Sequence, residues 1–193
     1  MTAFVIYVTL LSLSGTKSST EKVFCMLLKR FFLEQLEREA AASRKAIERT
    51  PEGENGWKPH ERSMELGYLA GLVATMPGWL ALMIETDELD LDASDGSSFR
   101  TKPANSRAEL LQQLDEGLAR SRKALEKTSE AHLNTSWRLR MGDQVITEGP
   151  RYAMIADGAL SHLAHHRGQL TVYLRLKEAK VPAIYGPSAD EFH

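Results

Sequence analysis

Gly158-Ala-Leu-Ser-His162-Leu-Ala-His165-His166-Arg-Gly-Gln169-Leu170 carries three of the six histidines of this 193-residue chain. The tract reads as helix, and at about 100° per residue His162 and His166 sit about 40° apart, one turn apart along the axis. Two imidazoles at that spacing can hold one divalent metal, as the histidines of an H-E-x-x-H helix do. The stripe Ile155, Gly158, His162, His166, Gln169 and Tyr173 follows one line down the helix, with Leu163, Leu170 and Leu174 beside it. It therefore borders the apolar face and is expected to point into a helical bundle. His165 falls about 60° to the other side of His162, as an alternate ligand or a donor behind the pair. Imidazoles in such a place need partners. A bound metal or ligand is one solution. Hydrogen bonds to carbonyls, or to Tyr173, Gln169 and Asp157, are the other.

Four helical stretches surround that reading. Leu28, Phe32, Leu36 and Ala40 recur every four residues in a helix expected over 27–49, ended by Pro51, Gly53 and Gly56. A second helix is expected from Ser63 as N-cap, with Leu66, Leu69, Leu72, Val73 and Met76 on one face. Pro77-Gly78 should kink it before Trp79–Ile84 continues. Ser106-Arg-Ala-Glu109 is a capping box that opens a third helix reaching about Lys127. Pro150 stands near the start of the fourth, which is expected to run to about Lys180, before Pro182. Between the last two, Trp137–Met141 and Val145–Thr147 flank Gly142-Asp143-Gln144, a short hairpin or extended crossover. The fold class is all-α, a four-helix bundle, in which sites form between facing helices. Residues 87–105 read as a long acidic loop. Asp90, Asp92 and Asp95 lack the spacing and the final glutamate of a calcium-binding EF-hand.

Composition narrows the function classes. With 24 basic and 26 acidic residues the net charge is −2, which argues against phosphate-driven nucleic-acid binding. The single cysteine, Cys25, excludes an internal disulfide and fits a reducing, cytoplasmic setting. Residues 26–193 form one domain. Residues 1–25 are an N-terminal extension whose apolar run, Ala3 to Leu13, is too short to span a bilayer. Three readings of it stand open: a mis-assigned start with Met26 as the natural first residue, a weak signal segment, and a genuine extension. No nucleophile elbow, P-loop or dinucleotide fingerprint occurs. His60-Glu61 is followed by Met64 where a zincin needs histidine, and Cys25 has no base near it in sequence.

Trp57-Lys-Pro59, Ser63-Met-Glu-Leu-Gly67-Tyr-Leu-Ala70 leading to Pro77-Gly-Trp79, the tract Ser161-His162 to Gln169, and Val181-Pro-Ala-Ile-Tyr185-Gly-Pro-Ser188 together resemble the DinB/YfiT-like superfamily. That DinB is the damage-inducible four-helix bundle, not the DNA polymerase of the same name. The resemblance implies a divalent metal, zinc or nickel, held by three histidines, one from the second helix and two from the fourth. Carried over, the pair is His162 and His166, and the third position falls on Leu72, which cannot coordinate. His60, about 18 Å from Leu72 along an unbroken helix, is a poor substitute. The site is thus expected to be degenerate. The resemblance further implies a thiol-dependent transferase using a low-molecular-weight thiol, or a metal-dependent hydrolase. In either, Gln169 would support the ligands from behind and Arg167 would contact an anion. The competing expectation is a metal-free bundle that binds a small molecule or dimerises. Relatives are often homodimers, and Phe31, Leu33 and Trp79 are candidate interface or core residues.

Overall fold

The computed structural model describes residues 19–92, 101, 104 and 106–191, with side chains from residue 28 onward. The apolar run Ala3–Leu13, the Cys25 side chain and most of the acidic loop lie outside the described residues. Helix α1 spans Ser19–Glu48, α2 Leu66–Thr75, α3 Trp79–Glu85 and α4 Arg107–Lys127. A single-turn helix α5, Glu130–Leu133, precedes the last run: α6 Arg151–Met154, a π-helical turn Ile155–Ser161, and α7 His162–Leu176. The four long runs, α1, α2–α3, α4 and α6–α7, make the expected bundle. The predicted stripes meet at its centre: Phe32, Leu36, Leu69, Val73, Leu114, Leu163 and Leu170 are almost wholly buried.

Several boundaries differ from the sequence reading, each for a local reason. Ser63 is not the N-cap of α2. Its amide is tied back to His60 O at 2.9 Å, and Glu65 precedes the first helical residue without a side-chain cap. Helix α7 stops at Leu176, short of Lys180. Glu178 adopts a left-handed φ of 57°, so that Ala179 N–H reaches Leu174 O (2.9 Å) and Glu178 N–H reaches Arg175 O (3.0 Å). That is a Schellman close. The N-cap holds as read: Ser106 Oγ accepts from Glu109 N–H at 3.2 Å.

The break at Pro77 is the best-supported joint in the bundle. A 3₁₀ turn, Met76–Gly78, joins α2 to α3. Ser121 of α4 inserts its hydroxyl there, donating to Pro77 O (2.6 Å) and accepting from Ala81 N–H (3.1 Å). A side chain thus replaces the ladder bond that the bend removes. By length and composition Leu66–Glu85 could cross a membrane, but 67% of it is buried within the bundle.

The loop reading of residues 87–105 is corrected at its beginning. Strand β1, Glu88–Asp90, pairs in parallel with β2, Ser136–Met141, which pairs antiparallel with β3, Gln144–Pro150. The expected hairpin is therefore part of a three-stranded sheet in the order β1-β2-β3. Asp90 Oδ1 accepts from Gly142 N–H (2.9 Å) at the hairpin turn. The Asp92 N–H, donating to the same oxygen at 3.0 Å, and then Gly142 hold the Asp90 carboxyl below the usual carboxylate range. Its charge serves the sheet.

Candidate functional site

Two contacts fix how the second and fourth helices face each other. Trp79, at the start of α3, lies edge-on to His162 with ring centroids 5.7 Å apart. Tyr173, near the end of α7, donates its hydroxyl to Met64 O (3.1 Å), just before α2. The two runs are therefore antiparallel. Leu72 is 6% exposed. Its burial fits the interior face on which the sequence placed it.

His162 and His166 turn their rings toward one another, and their Nε2 atoms are 2.9 Å apart. His166 Nδ1 lies 2.8 Å from Gln169 Oε1. An amide oxygen only accepts, so Nδ1 carries the His166 proton and its Nε2 presents a lone pair. His162 Nε2–H then donates to that lone pair. Burial holds the His166 imidazole below the usual histidine range, against the raising pull of the Gln169 hydrogen bond, with His162 and His165 adding to the lowering. A neutral imidazole with Nδ1 committed and Nε2 unprotonated is the form that binds metals.

Burial divides the tract. His166 is 5% exposed, but His162 and His165 are exposed. The expectation that the whole stripe points into the bundle is corrected at one residue: Ile155, His166 and Tyr173 are buried, but His162 is exposed, standing at the rim beside Trp79. His165 lies against His166 with ring centroids 5.1 Å apart.

Arg167 is placed away from the pair. Its guanidinium, on a residue 1% exposed, reaches into the α1–α7 interface. Nη1 donates to Glu39 O (3.0 Å) and Ser43 Oγ (3.3 Å); Nη2 donates to Glu39 Oε2 (2.5 Å) and the Tyr185 hydroxyl. Tyr185 in turn donates to Glu39 Oε2 at 2.7 Å. This corrects the anion contact expected of Arg167: the internal carboxylate of Glu39 takes that place. His60 is not brought to the site, and its Nδ1 accepts from Arg62 N–H (3.1 Å) in an exposed turn. Leu33 and Trp79 pack against the core, while Phe31 is 49% exposed.

Sequence reading did not find Arg151, which is wholly buried. Its guanidinium donates to Met83 O and Thr86 O at the end of α3, and to Asp87 Oδ1 at 2.8 Å. A basic residue at the start of a helix gave no hint that it closes the end of another one.

The sequence model of the DinB family matches residues 26–192. The chain belongs to the DinB family. Two solved structures share the fold. A DinB-like protein from Bacillus subtilis matches with 18% identity and a TM-score of 0.59, over 81% of this chain and 98% of that one. A DinB-like protein from Bacillus cereus matches with 18% identity and a TM-score of 0.60, over 80% and 95%. At that identity the likeness carries the fold alone. No curated protein matches the chain. This DinB-family chain has, among the described residues, no three-residue group of His, Cys, Asp or Glu arranged to hold a metal. The donor set fits a two-ligand site. Ligands at about 2.0–2.1 Å from a tetrahedral zinc stand roughly 3.3 Å apart, so the pair needs to open by only a few tenths of an ångström.

Proposed function

We propose that this DinB-family bundle holds a divalent metal, zinc or nickel, weakly between His162 and His166 and presents it to a small molecule. The observation that carries the reading is the convergence of the two Nε2 atoms, 2.9 Å apart, with His166 Nδ1 held by Gln169. A metal bound there would act as a Lewis acid, lowering the pKa of a coordinated thiol or water. A low-molecular-weight thiol would make the protein a transferase, and water would make it a hydrolase. The chain's own contribution is positional. Gln169 fixes the His166 tautomer and Trp79 holds the edge of His162.

Metal analysis of protein purified without a histidine tag tests this. Zinc or nickel retained by the wild type, and lost in His162→Ala, is the expected result; a metal-free protein whose melting is unaffected by a chelator rejects the reading. Leu72→His is the sharper variant. It puts an imidazole at the position where the family's third ligand would fall and is expected to tighten binding at least tenfold.

Leu72 is also the observation that favours a second reading, a metal-free bundle that dimerises or binds a small molecule. Tyr68, Val172 and Leu176, 50%, 57% and 55% exposed, give α2 and α7 an uncovered apolar strip. On that reading Val172→Glu converts a dimer to a monomer in sedimentation, and chelators change nothing. We place the protein in the cytoplasm on its single cysteine.

A further inference from the structure

Glu130 stands in the first turn of α5 and is 7% exposed. Its Oε1 accepts the backbone N–H of Lys29 in α1 at 3.0 Å, and its Oε2 is buried with no hydrogen-bond partner among the described residues. Neither fits the middle of a helix. In α1, which runs from Ser19, the Lys29 N–H is owed to the Cys25 carbonyl one turn earlier. A carboxylate on a helix amide is the arrangement of a first turn, where N–H groups lack carbonyls and the dipole favours negative charge. A buried carboxylate oxygen left bare costs free energy, so it marks a missing donor.

A capping oxygen serves the N2 or N3 amide of its helix. With Lys29 at N3, the N-cap is Met26. Methionine has no side-chain oxygen, so a cap there must come from another element, and α5 supplies Glu130. The DinB family model begins at the same residue, 26. The bundle ends at this level too. Lys29 Nζ donates to Glu126 O (2.9 Å) in the last turn of α4, and Ser19–Leu28 carry α1 about 15 Å beyond that contact. Among the described side chains the buried core begins at Phe32. We propose that the working protein begins at Met26 and that Glu130 is the receptor for its N-terminal amine. Oε2 takes the α-ammonium group while Oε1 takes the Lys29 N–H. The cation satisfies the buried carboxylate and fastens the start of the first helix to α5. In the longer chain the Met26 nitrogen is a peptide N–H, owed to the Lys22 carbonyl within α1, and it brings no charge. The histidine pair plays no part in this site.

The test compares untagged chains of residues 1–193 and 26–193, each with Glu130 and with Glu130→Gln. The substitution keeps an oxygen for the Lys29 N–H and removes the charge. The 26–193 chain is expected to fold and to melt no lower than the full chain. In it, Glu130→Gln is expected to lower the melting temperature by about 5 °C more than it does in the full chain. Acetylating the Met26 amine should abolish that difference. A second measurement needs no substitution: the Met26 amine of folded 26–193 should react with an acylating reagent at least about tenfold more slowly than in the same chain unfolded in urea. This reading decides the matter if Glu130→Gln prevents both chains from folding. A 26–193 chain that does not fold overturns the proposal. An equal cost of Glu130→Gln in the two chains overturns it, because Glu130 then serves only the Lys29 amide. An excess cost that survives acetylation, or an amine that reacts as fast folded as unfolded, overturns it as well.

Discussion

Arg167 and Glu39 are 1% and 6% exposed, and each holds the other's charge inside the protein at 2.5 Å. Removing one partner of such a pair strands the other, which costs about 3–5 kcal/mol, whereas replacing both by apolar groups is often near neutral. Arg167→Met is therefore expected to lower stability in urea by about that amount. Arg167→Met with Glu39→Leu should recover most of the loss. An Arg167 that contacted an outside anion would show no such coupling. Sequence periodicity located the histidines but not this pair, because Glu39 and Arg167 lie 128 positions apart. Local spacing does not report a contact between distant helices. Arg151 was missed for the same reason.

Helix α7 ends on a strained residue. The left-handed conformation of Glu178 suits glycine and costs other residues about 1–2 kcal/mol. Glu178→Gly is expected to raise stability by about 1 kcal/mol, partly offset by the greater freedom of glycine in the unfolded chain. Thermal or urea melts check it. Beyond that close, the tail is tied down by two carboxylates. Asp190 accepts from Arg175 (2.5 Å) and Val181 N–H (2.8 Å), and Glu191 accepts from Ala183 N–H (2.8 Å) and Arg49 (2.6 Å). The Arg175 hydrogen bond first, and then Val181, hold Asp190 below its ordinary 3.8; the Ala183 hydrogen bond first, and then Arg49, hold Glu191 below its ordinary 4.5. Depressed carboxylates stabilise above their unfolded pKa and lose that contribution as pH falls through the folded one. The tail should therefore stay docked at neutral pH and loosen below about pH 4. Hydrogen exchange at the Val181 and Ala183 amides should speed up there, before the bundle core opens. Element types were largely legible in the sequence: the Ser106 cap and the Pro77 break stand where read. The ends were less so. Ser63 and Lys180 look like boundaries by residue type, but tertiary hydrogen bonds set the actual ones.

The bundle closes where α4 crosses the joint between α2 and α3. A Cβ on Gly117 would lie 3.0 Å from Gly78 N and 3.2 Å from Gly78 Cα, against backbone that cannot rotate away. Gly117→Ala is expected to destabilise by about 1–3 kcal/mol, despite the better helix propensity of alanine, because the two runs must separate. A urea melt reads the sign directly. A stability gain would show that the crossing is slack. The same crossing brings Ser121 to Pro77, so one contact both sets the helix spacing and repairs the bend. By itself, the sequence determined the four helical runs, the Ser106 cap and the histidine pair with its Gln169 partner. All of these depend on residues within a turn or two of one another, where helix geometry alone decides proximity. Only the tertiary structure decided that Arg167 turns inward to Glu39, that β1 joins the hairpin as a third strand, and that His162 lies at the rim. Those outcomes depend on how separate elements press against each other, and residue spacing along one chain carries no record of that pressure.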